Sequence, residues 1–169
     1  MTNDVSPDWD RIVDRHAQRV FRVALRILKS VQDAEDVSQD VFAEAFRVHK
    51  SGPVQSWTGL LVRLATLRSL DRLRRNRPSV ELRDSDRISI VEPLDELEAK
   101  ELARWLQTAL AQLPDQQATV FVMQYYEHLS REEISTALGV SAESVSAALY
   151  KARQRLLQQL AVFNQGDSK

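Results

Sequence analysis

Apolar side chains recur at steps of three and four residues over most of this chain, which is the spacing of one face of an α-helix. The first stripe comprises Trp9, Val13, Ala17, Val20, Phe21, Ala24, Leu25 and Leu28. Five arginines stand between its members: Arg11, Arg15, Arg19, Arg22 and Arg26. Only 4 glycines and 5 prolines occur among 169 residues, which argues against a sheet-rich fold with many tight turns. The sequence therefore predicts an all-α protein.

The helical pattern is interrupted once over a long stretch, which divides the chain into two parts. In the first part, Asp33 is expected to cap a second helix, whose buried side would hold Val37, Val41, Phe42, Ala45 and Phe46. A third helix should begin near Ser56 and end before Pro78. Residues 78–96 contain two prolines and more acidic than basic residues, without helical periodicity. We expect two small helical domains, 8–77 and 97–163, joined by a flexible linker at 78–96.

The net charge of −1 conceals an uneven distribution. Residues 1–77 hold 14 basic and 10 acidic residues, and residues 63–77 alone carry six arginines against one acid, Asp71. Such a concentration of arginine favours nucleic-acid binding over a merely solvated helix face. The chain has no cysteine and no apolar run long enough to span a membrane, so the sequence predicts a cytoplasmic protein without membrane insertion.

The most specific local pattern lies near the C-terminus. Ser130 and Glu133 have the spacing of a capping box, and Gly139 stands where a short helix would need a left-handed residue. Ser141 can cap a following helix, whose expected buried stripe is Val145, Leu149, Ala152, Leu156 and Leu160. A short helix, a glycine turn and a capped second helix predict a helix-turn-helix, the C-terminal domain's recognition unit.

Taken in order, these parts resemble a bacterial extracytoplasmic-function (ECF) sigma factor, which retains only sigma regions 2 and 4. The resemblance is strongest in DAEDVSQDVFAEAF (33–46), LDRLRR (70–75), LP (113–114), LSREEISTALGVSAESV (129–145) and KAR (151–153). It implies an alternative sigma factor that binds core RNA polymerase and directs promoter recognition and transcription initiation. The implied partners are the β′ clamp helices, the β subunit and promoter DNA, and the resemblance leaves an anti-sigma factor open.

The resemblance also assigns residues of region 2. Asp36, Gln39 and Asp40 match the contact pattern for the β′ clamp helices, and their spacing places them on one helix face. The loop and helix from His49 onward match the part that holds the separated −10 strand. We expect that strand's phosphates to be bound by four arginines: Arg68, Arg72, Arg74 and Arg75. Leu60 and Leu67 depart from the tryptophan and asparagine usual in the family.

For region 4, the resemblance places the second helix of the helix-turn-helix in the −35 major groove. The expected DNA-binding residues are Ser144, Ser146, Ala147, Tyr150, Lys151 and Arg153. Family members often carry basic residues in place of Ser146, Ala148 and Ala118, so most of the −35 affinity is expected from phosphate contacts by Lys151 and Arg153.

Two other classes of function fit the sequence less well. An enzyme is not expected, because the three histidines lie in separate elements and no phosphate-binding loop or nucleophile motif occurs. No cofactor and no metal are expected, since the acidic residues of 33–40 lack the Glu-x-x-His pairs of a diiron bundle. A stand-alone helix-turn-helix transcriptional regulator would explain residues 129–156 but not the acidic helix or the arginine-rich one.

Overall fold

A computed structural model describes residues 8–76 and 94–166. Its helices are α1 Trp9–Leu28, α2 Val31–Ser51, α3 Trp57–Arg75, α4 Leu94–Gln112, α5 Asp115–Tyr125, α6 Arg131–Leu138 and α7 Ala142–Gly166. Throughout these residues the regular structure is helical, which confirms the predicted fold class. Residues 78–93 of the predicted linker lie outside the described residues. Its last three residues, 94–96, belong to α4. None of the described helices is both long and apolar enough to cross a membrane.

Serine side chains cap the second and third helices of the first half. Ser30 has extended backbone angles, and its hydroxyl accepts a hydrogen bond from the Asp33 amide at 3.3 Å. The prediction that Asp33 caps α2 was therefore wrong, because the cap lies one turn earlier and leaves the Asp33 carboxylate to bind elsewhere. Ser56 caps α3 in the same way, with its hydroxyl 3.0 Å from the Gly59 amide.

The buried face of α1 differs from the predicted stripe. The buried side chains of α1 are Ile12, His16, Val20, Val23, Ala24, Ile27 and Leu28. Trp9, Val13, Ala17, Phe21 and Leu25 are half-buried instead. The reason is that α1 packs against both α2 and α3, so its apolar arc is turned toward the groove between them. On α2, Phe46 was predicted to be buried but is 36% exposed, and its ring packs against Trp9 at the edge of the core.

The second half contains the predicted helix-turn-helix. The Ser130 amide donates to the Glu133 carboxylate at 2.7 Å, and the Glu133 amide donates to the Ser130 hydroxyl at 3.1 Å. Gly139 ends α6 with φ at 64°, a left-handed conformation that costs glycine no steric penalty. The stripe of α7 from Val145 to Leu156 is buried, while Leu160 is half-buried.

The two halves pack directly against each other. Helix α3 contacts α4, α5 and α6, and the buried apolar residues of both halves form one continuous cluster. Gly59 of α3 lies so close to α6 that an added Cβ would be 2.7 Å from the Cβ of Ala137. The side-chain amide of Gln107 donates to the Ile27 carbonyl at 2.8 Å across the same boundary. The chain is thus folded in a closed arrangement.

Candidate polymerase and nucleic-acid interfaces

The predicted docking residues form an exposed face on α2. Asp36, Gln39 and Asp40 are all exposed, and they lie opposite the buried Val37 and Val41. The Asp36 carboxylate is 3.2 Å from Nη2 of Arg72, and its side chain remains 50% exposed. The structure therefore brings the three residues together on one surface, with one of them in an ion pair to α3.

Arg68, which was expected to bind DNA, is held by carboxylates of its own domain. Its Nε and Nη2 donate to the two carboxylate oxygens of Glu44, each at 2.7 Å, and its Nη1 donates to Asp71 at 2.9 Å. This two-point pairing is the strongest geometry between arginine and a carboxylate. The hydrogen bond from Arg68 is the main cause that lowers the pKa of Glu44 below its ordinary value. The same bond raises the pKa of Arg68.

Arg72 is paired in a similar way, one turn further along α3. Its Nη2 and Nε donate to one carboxylate oxygen of Asp33, at 2.6 and 3.0 Å. The hydrogen bond to Asp33 is the main cause that raises the pKa of Arg72, and Asp36 acts in the same direction. The carboxylate that the sequence suggested as a helix cap thus ties α2 to α3.

The last two arginines of α3 have different surroundings. Arg74 reaches the second half, where its Nε donates to the Ala111 carbonyl at 2.8 Å and its Nη1 is 3.2 Å from the Asp115 carboxylate. Arg75 is exposed, and its Nε donates only to the carbonyl of Asp71 on its own helix, at 3.4 Å. Of the four arginines, Arg75 alone has no carboxylate partner among the described residues.

An aromatic cluster supports the loop before α3. The rings of Trp9 and Trp57 are 5.9 Å apart, and His49 lies 5.5 Å from Trp57. His49 was expected in the loop, but α2 continues to Ser51, so the loop itself is residues 52–56. Trp57 packs from the start of α3, one turn before Leu60, which is half-buried against the core.

The predicted −35 residues lie on the solvent side of α7. Ser144, Ala147, Tyr150, Lys151 and Arg153 are exposed, and Ser146 is half-exposed. Tyr150 is 60% exposed, which leaves a large aromatic side chain open to solvent. All six predicted −35 residues thus lie along the outer part of α7, as a helix that enters a groove requires.

Two residues of this surface were missed in the sequence. The Arg131 guanidinium donates to the Ser146 hydroxyl at 3.3 Å, which adds a cation from α6 beside the recognition helix. The Arg153 guanidinium donates to the Tyr125 hydroxyl at 3.4 Å. The LSREE motif contained Arg131, but only the turn of the helix-turn-helix brings it next to α7.

The comparisons with known proteins agree with this geometry. The family models for Sigma-70 region 2 and Sigma-70 region 4 match residues 12–78 and 103–156. The ECF RNA polymerase sigma factor SigM of Mycobacterium tuberculosis is 31% identical over 165 residues, which are 94% of this chain and 80% of SigM. SigE of Mycolicibacterium smegmatis is 35% identical over 160 residues, which are 92% of this chain and 62% of SigE. This chain therefore spans less than two thirds of the length of SigE.

A solved structure shares the fold. RpoE, in complex with the anti-sigma factor NepR from Bartonella quintana, aligns with a TM-score of 0.51 and 20% identity over 92% of this chain and 98% of that chain. The fold, the two matched regions and the relatives together define the class as a sigma factor. Within that class, the chain belongs to the ECF RNA polymerase sigma factors.

Proposed function

We propose that this protein is an alternative sigma factor that binds core RNA polymerase and directs it to a set of promoters. The observation that carries the proposal is the order of regions 2 and 4 in one chain, with a capped helix-turn-helix in the second. A stand-alone regulator needs the second region only. As a sigma factor, the protein would act as a regulator rather than a catalyst, in the cytoplasm together with RNA polymerase.

Polymerase docking is assigned to Asp36, Gln39 and Asp40, with the β′ clamp helices as the partner surface. Their shared exposure on α2 supports this assignment, since acidic and amide groups suit a basic partner. The β subunit is a further proposed partner within core polymerase.

Promoter DNA is assigned to two surfaces. For the −10 strand, Arg75 is available without rearrangement, whereas Arg68, Arg72 and Arg74 must exchange carboxylate or carbonyl partners for phosphates. For the −35 element, the exposed polar residues of α7 support groove entry, with Lys151 and Arg153 on the phosphates. An anti-sigma factor is a further proposed partner, because RpoE has been solved bound to NepR.

The test is transcription from sheared genomic DNA with purified core polymerase, read by sequencing the transcript starts. We expect a small set of starts that require this chain. Replacing Asp36, Gln39 and Asp40 together by alanine should abolish these starts and core binding, because the docking groups are removed. Exposed substitutions each change stability by only about 0.5 kcal/mol, so helical circular dichroism should be unchanged.

A matched control is the pair Glu98→Ala and Glu101→Ala, which removes the same two negative charges from exposed positions of α4. It should leave transcription unchanged. Retained core binding by the triple variant would refute the docking assignment. A chain that binds DNA by itself but yields no polymerase-dependent starts would instead be a stand-alone regulator.

A further inference from the structure

Helix α1 carries five arginines that neither the docking surface nor the −10 surface uses. We call Arg11, Arg15, Arg19, Arg22 and Arg26 the arginine row. At 3.6 residues per turn, all five project within an arc of about 80° on one side of α1. Asp10 and Asp14, the acidic residues of α1, fall outside that arc, and the buried side chains face elsewhere. The row is therefore a positive strip along the helix.

The second half of the chain covers the middle of this strip. One carboxylate oxygen of Glu127 is 3.0 Å from Nε of Arg19 and 3.5 Å from Nη2 of Arg22. The Glu127 side chain is only 2% exposed. Beside it, the Arg26 guanidinium donates to the Tyr126 carbonyl. A single turn after α5 thus occupies three members of the arginine row.

This interface leaves the charge of the row unbalanced. Glu127 supplies one negative charge, and its other oxygen is buried without a hydrogen-bond partner among the described residues. Arg11 has an exposed ion pair with Asp8 at 3.4 Å. Arg15 is exposed and has no polar partner in the described part of the chain. The second half offers the five arginines one carboxylate, Glu127, and one carbonyl, that of Tyr126. A polyanion could pair with all five arginines.

The surroundings of the row favour a single nucleic-acid strand. Arg15, Arg19 and Arg22 line an open cleft of about 590 Å³ whose opposite wall is the start of α3, with Trp57 and Thr58. Arg19 Nη1 also donates to the Thr58 hydroxyl at 3.2 Å. Cations beside an aromatic ring are the usual elements of single-strand binding. A membrane surface is a poor fit, because the apolar side of α1 is already buried in the core.

The local field is consistent with an anion site. His16 lines the same cleft, and its pKa lies below the ordinary value, mainly through burial and then through Arg19 and Arg15. The neutral imidazole leaves the arginines as the cations of the cleft near pH 7.

We propose that the arginine row is a second binding site for single-stranded DNA, which continues from the loop at 52–56 along α1. In the closed arrangement, Glu127 occupies the place of a phosphate on Arg19 and Arg22, so the halves must separate before the strand binds there. This inference rests on the proposed function, since an opened promoter supplies the single strand.

The test uses the full chain without polymerase and a fluorescent 20-nucleotide oligothymidine, with affinity measured by anisotropy at several salt concentrations. Glu127→Gln keeps the shape of the side chain and removes its charge. It should tighten binding at least threefold, because Arg19 and Arg22 become available. Glu101→Gln makes the same charge change on exposed α4 and should leave the affinity unchanged.

The second variant adds Arg15→Ala to Glu127→Gln. Arg15 has no polar partner among the described residues of the second half, so its loss reports on DNA and not on the interface. We expect weaker binding and a salt slope shallower by about 0.7, the value of one phosphate contact on a single strand. Arg104→Ala in the same background, an exposed arginine of α4, should change neither quantity.

Three outcomes would overturn the proposal. The first is equal affinity of the wild type and Glu127→Gln for the oligothymidine. The second is that adding Arg15→Ala to Glu127→Gln changes neither the affinity nor the salt slope. The third is tighter binding of a 20-base-pair duplex than of the single strand. Because no polymerase is present, the strand-binding result is independent of the transcription test. Absence of polymerase-dependent starts would refute the proposed function, whereas only the anisotropy measurement would refute the strand-binding site.

Discussion

Helices α3 and α7 are both assigned to DNA, yet they present their polar groups in opposite ways. Arg68 and Arg72 on α3 are bound to carboxylates of α2, and Arg74 is bound to the second half. On α7, Tyr150 and Lys151 are exposed to solvent. Three of the four α3 arginines assigned to DNA are therefore already paired within the protein. A cluster of arginines in a sequence measures how much charge is present, not how much of it is available.

The difference also separates two physical roles. The arginines of α3 hold α2 to α3 and the first half to the second, so their removal is expected to change folding as well as DNA binding. The outward residues of α7 hold little of the structure together, so their removal should change DNA binding alone. The close contact between Gly59 of α3 and Ala137 of α6 joins the two halves that carry these helices.

The largest effect is expected from Gly59→Ala, which would separate the halves so that each can be measured alone. The new Cβ would lie 2.7 Å from the Cβ of Ala137, and the nearby α6 backbone has little freedom to move. Overpacking of this kind costs about 1–3 kcal/mol, so the closed arrangement should be depopulated. Small-angle X-ray scattering should show a larger radius of gyration, with helical circular dichroism retained because alanine favours a helix.

Gly52→Ala is the matched control for that substitution. Among the residues that the structure describes, nothing lies within 4 Å of a Cβ added at Gly52, and its backbone is extended. Its radius of gyration should equal that of the wild type. An unchanged radius for Gly59→Ala would show that the interface adjusts to a methyl group and that the close approach does not maintain closure.

A smaller effect should distinguish paired from unpaired arginines within α3. Arg68→Ala removes the two-point pair with Glu44 and should lower the free energy of unfolding by about 1 kcal/mol. Arg75→Ala removes an exposed arginine that has no carboxylate partner in the described part of the chain, and it should change the unfolding free energy by less than about 0.5 kcal/mol. Urea denaturation measures both. If the two variants cost the same, the α3 ion pairs contribute nothing measurable to the fold.

The pair between Arg68 and Glu44 should also give a specific dependence on pH. Because the folded-state pKa of Glu44 lies below its ordinary value of 4.5, the pair stabilises the protein above that pH. The contribution should be lost as the pH falls through the lower folded-state pKa. The difference in unfolding free energy between wild type and Glu44→Gln should therefore be full at pH 7 and shrink below about pH 4.5. A difference that stays constant down to pH 3 would contradict the cause given for the shift.

The smallest effect is expected on α7, where no structural role is at stake. Lys151→Ala in the polymerase complex should weaken all −35 variants by a similar factor and lower the salt slope by about one. The unfolding free energy should change by less than about 0.5 kcal/mol. Arg104→Ala, a lost charge on α4, is the control and should not change the slope. If Lys151→Ala instead lost discrimination at one base pair of the −35 element and left the other variants unaffected, Lys151 would contact a base.

Local features were predictable from the sequence because they depend on neighbours along the chain. The capping box of Ser130 and Glu133 and the left-handed Gly139 involve residues three positions apart or a single backbone angle. The error at Asp33 came from the same local reasoning, since Ser30 stood three residues earlier and satisfied the same requirement.

The partners of the arginines could not be predicted in this way. Glu44 and Arg68 are 24 residues apart, and Asp33 and Arg72 are 39 residues apart, so no local spacing connects them. Arg22 and Glu127 are separated by 105 residues. Whether these charges meet depends on the crossing of α1, α2 and α3 and on the closure of the two halves.

The sequence by itself thus determined the helices, the capping box of α6, the helix-turn-helix and the resemblance to a sigma factor. Hydrogen bonds within a turn and apolar periodicity are short-range, and they act wherever the chain is placed. Only the tertiary structure decided which arginines remain available, because ion pairs require close approach and direction between distant residues. The closure of the halves over the arginine row is likewise a property of the packed core, which the order of residues alone does not specify.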